Sequence, residues 1–318
     1  MSTSTPARVL TGPPKTPRRT KRGSLGHHNL AGYLFLTPWL IGFFVLIAGP
    51  MLSSLWLSFT DYSILGTPEW VGIENFEVMF SKDVRFWHAM AVTLTYLFVS
   101  VPLVQIFALF LATMVNKGLR GLSIYRAVFY VPSLIGGSVA IAILWRFLFD
   151  SQGLFNGALG VIGIQTDHSW IGEPGTALNT LIILNVWQFG AAMIIYLAGL
   201  KQIPAELNEA AIMDGASPVK RYFAITLPML SPIIFFNVLM NMVGAFQAFN
   251  TAYIVSNGSG GPADSTLFYT LYLYQRGFVD FDMGYASALG WVLLIIVAAA
   301  AGLLFLLARR FVYYGDER

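Results

Sequence analysis

Residues 209–228 read EAAIMDGASPVKRYFAITLP, a polar island set between two long apolar runs. Just upstream, Pro204 suits the first position of a helix and Glu206 its positive N-terminal end, while Gly215 suits the left-handed residue that follows a helix stop. A helix over 204–214 would be about 16 Å long. Ser217 then caps a second start, with Pro218 at its first position. The sequence therefore predicts two short helices meeting at a sharp bend around Gly215. A plain helical hairpin between spans accounts for that much. Ala210 and Ala211 add a surface of little bulk, suited to close packing in a partner's groove.

What surrounds the island sets the fold class. Of 318 residues, 56% are hydrophobic and 11% charged, and the mean hydropathy of +0.65 lies outside the range of soluble globular chains. Six apolar runs, 33–59, 89–115, 127–145, 177–200, 224–255 and 284–308, are each long enough to cross about 30 Å of hydrocarbon as a helix. Their continuity argues against a β-barrel, which needs short alternating segments. The expected architecture is an all-α membrane protein with six transmembrane helices over 31–318, the island forming a loop over about 201–226. Residues 1–30, rich in Lys, Arg, Pro, Ser and Thr, read as a disordered basic tail. No small-residue cleavage site follows it, so the first run is expected to be a retained span rather than a signal peptide.

Six spans place both termini on one side. That side collects 15 of the 19 Lys and Arg, leaving Lys82, Arg85, Arg146 and Arg276 opposite. The positive-inside rule assigns the basic side, and the island with it, to the cytoplasm of a cell membrane. Anionic lipid headgroups account for the basic tail more simply than nucleic acid does.

The chain has no cysteine, which excludes disulfides and thiolate metal sites. It has no GxxxxGK followed by Ser or Thr, so ATP has to be bound by a separate chain. HExxH, GxSxG and an intramembrane Ser/Lys pair are also missing, and His27, His28, His88 and His168 are scattered; neither catalysis nor a metal centre is expected. The interiors of the six runs hold no Asp, Glu, Lys, Arg or His, which argues against an ion-coupled carrier. Uncharged polar groups are the better lead. Asn185 and Gln188 share a face of the fourth run; Asn237, Asn241 and Gly244 share one on the fifth, and Gln247 and Asn250 continue around it. Amides beside Phe129, Trp187, Phe246 and Tyr253 suit the hydroxyls and apolar ring faces of sugars. The same amides also serve to fasten helices together, and Ser133 can bond its own helix.

The pattern EAAxxDGA, then Phe, then IxLPxxxP stands here as Glu209, Ala210, Ala211, Asp214, Gly215, Ala216, Phe223, Ile225, Leu227, Pro228 and Pro232. It resembles the signature of the membrane subunits of binding-protein-dependent ABC importers of the type I permease fold. VGIENF at 71–76, VPS at 131–133, NVW at 185–187, FQAFN at 246–250 and NGSGGP at 257–262 are similar to the carbohydrate-uptake branch, on the side of the larger maltose-type subunit. The likeness runs from about residue 33 to the end, without the large outer-loop domain of some relatives.

This resemblance implies a permease subunit that forms the path for a mono- or oligosaccharide delivered by an external solute-binding protein. It implies a second permease subunit, different from this one, and two ATP-binding cassette subunits that bind ATP and Mg, with no cofactor in this chain. Glu209, Ala210, Ala211, Asp214, Gly215 and Ala216 would form the coupling helix and its bend, docked in a cleft of the ATPase. Sugar-contacting places in maltose-type relatives correspond to Phe129, Ser133 and Asn185, and, with a spacing one residue different after Pro228, to Gln247. Gln188, Asn241, Gly244 and Asn250 complete the candidate path. Met240 and Gly244 stand where the maltose case is polar, so the same sugar is not implied. Glycerol phosphate or a polyol is the alternative cargo; an ion-coupled carrier and a structural membrane scaffold are the alternatives from other classes.

Overall fold

The computed structural model describes residues 26–116 and 122–312. Apart from 26–30, which are helical, the expected basic tail lies outside the described residues. The chain divides into two compact units at Ser53 and Ser54.

The first span, Gly32–Leu57, has a hydropathy of 2.0 and no buried side chain, as suits a helix whose whole circumference is apolar. It is interrupted by a π turn at Phe44–Ala48, where Gly49 N–H reaches back to the Phe44 carbonyl. Pro50 follows at once. A proline ring in a regular helix collides with the carbonyl four residues back and leaves it unbonded, and one wider turn relieves both. The same device recurs at Tyr222–Thr226, immediately ahead of Pro228.

In the second unit, four long apolar helices qualify as spans: Val84–Asn116, Pro174–Leu200, Pro218–Phe246 and Met283–Phe311. Val84–Asn116 is the most central, burying fourteen residues against its neighbours. Ala108 and Ala112 are fully covered where it meets Met193, Tyr196 and Leu230, since small side chains let helix backbones approach in lipid. A polar knot crosses the same contact. Tyr196 hydroxyl donates to Gln105, and Gln105 Nε2 donates to the Asn237 carbonyl at 3.4 Å, tying three spans together.

The third run departs from the single helix expected over 127–145. It is a bent pair, Ile124–Ile135 and Val139–Leu148, turned by 98°. The cause is local. Gly136 and Gly137 weaken the helix between the halves, and Ser138 starts a new one, its backbone extended and its hydroxyl accepting from Ile141 N–H at 3.3 Å. The described residues thus hold five long spans, or six if the bent pair counts as one.

Gly190 lets the fourth span reach the third. A Cβ there would lie 2.2 Å from the Phe129 carbonyl oxygen and 2.9 Å from Tyr130 Cα. Gly190→Ala is expected to cost about 1–3 kcal/mol by overpacking, read as a lowered thermal midpoint of the detergent-solubilised protein. An unchanged midpoint would mean that the two helices do not touch.

The ends of the bundle differ in charge. At the acid-rich end a short hairpin, Thr60–Asp61 paired with Glu69–Trp70, is pinned by Asn75, whose Nδ2 donates to the Ser58 and Thr60 carbonyls at 3.0 and 2.9 Å. Asp83 takes hydrogen bonds from the Tyr272 and Tyr285 hydroxyls and from Phe86 N–H. Burial by itself would raise its pKa, but these three donors, with the Arg276 charge nearby, outweigh burial and hold the carboxyl below its usual range. A depressed carboxylate contributes stability that is present above the unfolded-state value and lost as pH falls through the folded one. Asp83→Asn is therefore expected to lower the thermal midpoint at pH 7 and to shrink the acid-induced loss below about pH 4, both readable in one pH series of melts.

Candidate functional site

Two features stand apart from the packed core. The first is the island. Its helix spans Ala205–Met213, with Pro204 as the extended flanking residue one place earlier than expected and Asp214 at the other end. Ala216 N–H bonds the Ala211 carbonyl and Gly215 N–H bonds that of Ile212, both at 2.9 Å, and Gly215 has φ +73°. This is a Schellman stop, which needs a left-handed residue where glycine stands. Ser217 then caps Pro218–Arg221, its hydroxyl accepting from Lys220 N–H at 3.3 Å. The two-helix bend read from the sequence is present.

No residue of Ala205–Met213 is buried. Glu209, Ala210, Asp214 and Gly215 are exposed and Ala211 and Ala216 partly so. Around them Ile212, Met213, Val219 and Phe223 are 54%, 87%, 66% and 62% exposed. The island thus presents contiguous bare apolar surface beside its polar residues.

From Pro218 the chain runs through the π turn into the fifth span without a break to Phe246. Twenty-nine helical residues make a rod about 44 Å long, joining the island to the second feature.

That second feature is a cavity of about 410 Å³ toward the acid-rich half of the bundle, lined by Asn185, Gln188, Gly244, Gln247 and Asn250 together with Tyr96, Gly137, Leu181, Leu184, Ala248, Phe249 and Thr251. Three helix breaks converge on it. They are the Gly136–Ser138 bend, the turn at Gln188–Phe189 between Pro174–Trp187 and Gly190–Leu200, and the turn at 247–249 between Leu227–Phe246 and Asn250–Val255. Irregular backbone at membrane depth is tolerated where it faces a polar cavity. The Asn185, Gln247 and Asn250 side chains make no hydrogen bond among the described residues and are free to meet a ligand. Gln188 is held, its Nε2 donating to the Leu184 carbonyl at 3.2 Å, and Gly136 packs so closely that a Cβ there would lie 2.3 Å from its side chain. No lining residue is charged.

Five of the eight path residues named from the sequence meet in this cavity. Phe129, Ser133 and Asn241 do not line it. Phe129 packs on Phe189 at 5.9 Å between ring centres, Ser133 hydroxyl donates to the Tyr130 carbonyl of its own helix at 2.7 Å, and Asn241 Nδ2 donates to the Asn237 carbonyl at 3.0 Å. Among the aromatics, Trp187 packs on Trp145 at 5.8 Å with the ring planes tilted by 36° and Phe246 is buried. Sequence reasoning passed over Tyr96, Gly137 and Thr251. Tyr96 shares a helical face with Thr93 and Ser100 in the second run, a polar spacing that was a visible signal, as was the Gly-Gly-Ser break for Gly137.

A family model described as binding-protein-dependent transport system inner membrane component matches residues 79–314. The chain belongs to that family. It is a multi-pass permease of the ABC-importer class and not an enzyme. The permease is 50% identical over 297 residues, 93% of its length and 96% of the relative's, to a probable ABC transporter permease protein YesP of Bacillus subtilis (strain 168). It is 32% identical, over 83% of its length and 90% of the relative's, to the trehalose/maltose transport system permease protein MalF of Thermococcus litoralis (strain ATCC 51850 / DSM 5473 / JCM 8560 / NS-C). A solved bacterial alginate ABC transporter, in complex with an alginate pentasaccharide-bound periplasmic protein, has a chain that superposes on 91% of the permease and 98% of itself, with a TM-score of 0.77 at 23% identity. That likeness establishes the type I permease fold.

Proposed function

We propose that this permease carries a saccharide through the amide-lined cavity, driven by ATPase subunits that grip the island. What supports the reading most is the uninterrupted helical rod from the exposed island at Pro218 to Phe246, beside the cavity. A push on the bend at Gly215 is delivered along a stiff element to Gly244 and Gln247. Two such permease subunits, this one and a different one, would rock between outward-open and inward-open arrangements, with the base-rich end in the cytoplasm. ATP and Mg are bound by the partner ATPase subunits. An external solute-binding protein delivers the cargo, as the alginate transporter's crystallised complex with its periplasmic protein suggests.

A saccharide suits the cavity because unpaired amides can both donate to and accept from hydroxyls, and Tyr96 and Phe249 offer apolar faces. The names of the trehalose/maltose and alginate relatives agree with it. Gentle isolation of the permease from its native membrane tests the reading. A stoichiometric ATP-binding partner, lost when Ile212 and Met213 are both replaced by Asp, is the expected result. A permease isolated with no ATPase, or an island reached by impermeant labels from outside the cell, would overturn it.

A further inference from the structure

Beyond the cavity, toward the acid-rich end, four aromatic rings follow one another. Phe249 lines the cavity and stacks on Tyr253 at 5.3 Å with 29° between planes. Tyr253 meets Tyr274 edge-on at 5.5 Å, and Tyr274 also touches Phe249 at 5.3 Å. Tyr274 in turn stacks on Phe278 at 5.2 Å and 25°. The rings come from separate elements: the turn after the fifth span, helix Asn250–Val255, helix Tyr269–Tyr274 and the π turn Gln275–Val279. That π turn widens the helix at the place where Phe278 is presented.

Exposure separates these rings from the core. Phe268 and Tyr269, just upstream of Tyr274, are 1% and 0% exposed, whereas Tyr253 is 37% and Phe278 56% exposed. Here the Phe249–Tyr253 pair and the Tyr274–Phe278 pair each include a ring with open surface, and Phe249 borders the cavity amides.

We propose that Phe249, Tyr253, Tyr274 and Phe278 form an aromatic track that guides the pyranose rings of the cargo from the acid-rich end into the amide cavity. This rests on the saccharide-permease reading above. The C–H face of a pyranose lies against an aromatic face while its equatorial hydroxyls stay in water, so the sugar is not stripped of all its hydration at once. Successive ring centres 5.2 to 5.5 Å apart let a sugar ring contact the next aromatic before it leaves the last. At Phe249 the hydroxyls exchange water for Gln247, Asn250 and Asn185.

The test uses the full importer, this chain with its ATPase, permease and binding-protein partners, in lipid vesicles. The probes are labelled neutral and uronic pyranosides of one to four rings, and glycerol 3-phosphate. Phe278→Leu and Tyr253→Leu are each expected to raise KM for pyranoside uptake about tenfold, with kcat little changed, because an apolar branch replaces a flat face. Phe278→Trp and Tyr253→Phe, which keep that face, are expected to retain the KM of the unaltered chain. An unchanged KM in both Leu variants overturns the proposal. So does uptake of glycerol 3-phosphate alone, or of no pyranoside at all. A third overturning result is efficient cross-linking of Phe278→Cys to the second permease subunit, unambiguous in a chain without native cysteine, because the ring would then be an interface residue. A purified complex that holds no ATPase subunit sinks the importer reading itself, and is seen before any uptake is measured.

Discussion

Gly215→Val is expected to reduce ATP-driven uptake by at least tenfold while the protein still inserts and folds. Gly215 has φ +73°, and a Cβ there would meet nothing within 4 Å, so the substitution meets no steric barrier from neighbours. The penalty is in the backbone. An L-residue in the left-handed region costs roughly 1–2 kcal/mol, and a β-branched one sits there least comfortably. The simplest relief is to open the Schellman turn, breaking the bonds from Gly215 and Ala216 N–H to Ile212 and Ala211. Helix Ala205–Met213 would then swing freely relative to Pro218–Arg221, and a push from below would no longer reach the fifth span. ATP hydrolysis is expected to continue without matching uptake. Gly215→Asn separates this account from general damage, since asparagine tolerates the left-handed region, and it should restore most of the uptake. Full uptake in the Val variant would show that the bend transmits nothing.

The second large effect is expected at Asn185. Its side chain borders the cavity and has no partner among the described residues, unlike Gln188, Asn241 and Ser133, which are bonded to their own helices. Asn185→Leu keeps the branched shape and the number of side-chain heavy atoms beside an open cavity that can take the added methyl bulk, but the amide donor and acceptor vanish from the path. Losing them against a sugar hydroxyl is expected to cut uptake at least about tenfold, equal to 1.4 kcal/mol. Subunit stoichiometry in the purified complex should be that of the unaltered protein. Loss of assembly instead would mark Asn185 as a fastener between helices.

The two sites are legible in the sequence to different degrees, and particular residues show why. At the island, Pro204, Gly215, Ser217 and Pro218 each act through their own backbone preference within a few residues. The helix, its stop and the second start are therefore readable from residue order alone. In the fifth span, Asn241 and Gly244 share a face by helical period and Gln247 continues around it, but period alone does not say which of them meets open space. Asn241 turns to the Asn237 carbonyl while Gly244 and Gln247 border the cavity. In the third run the apolar count points to one crossing helix, and the Gly136–Gly137–Ser138 sequence overrides it.

The amino-acid sequence by itself determined the membrane class, the long apolar helices and the bent island, because hydropathy, glycine and proline act locally and survive any arrangement of neighbours. Only the tertiary structure decided which amides stand free. That choice depends on three helix breaks from three distant segments meeting at one place, with Gly136 and Gly190 allowing the close approach. No local property of the chain encodes such a meeting.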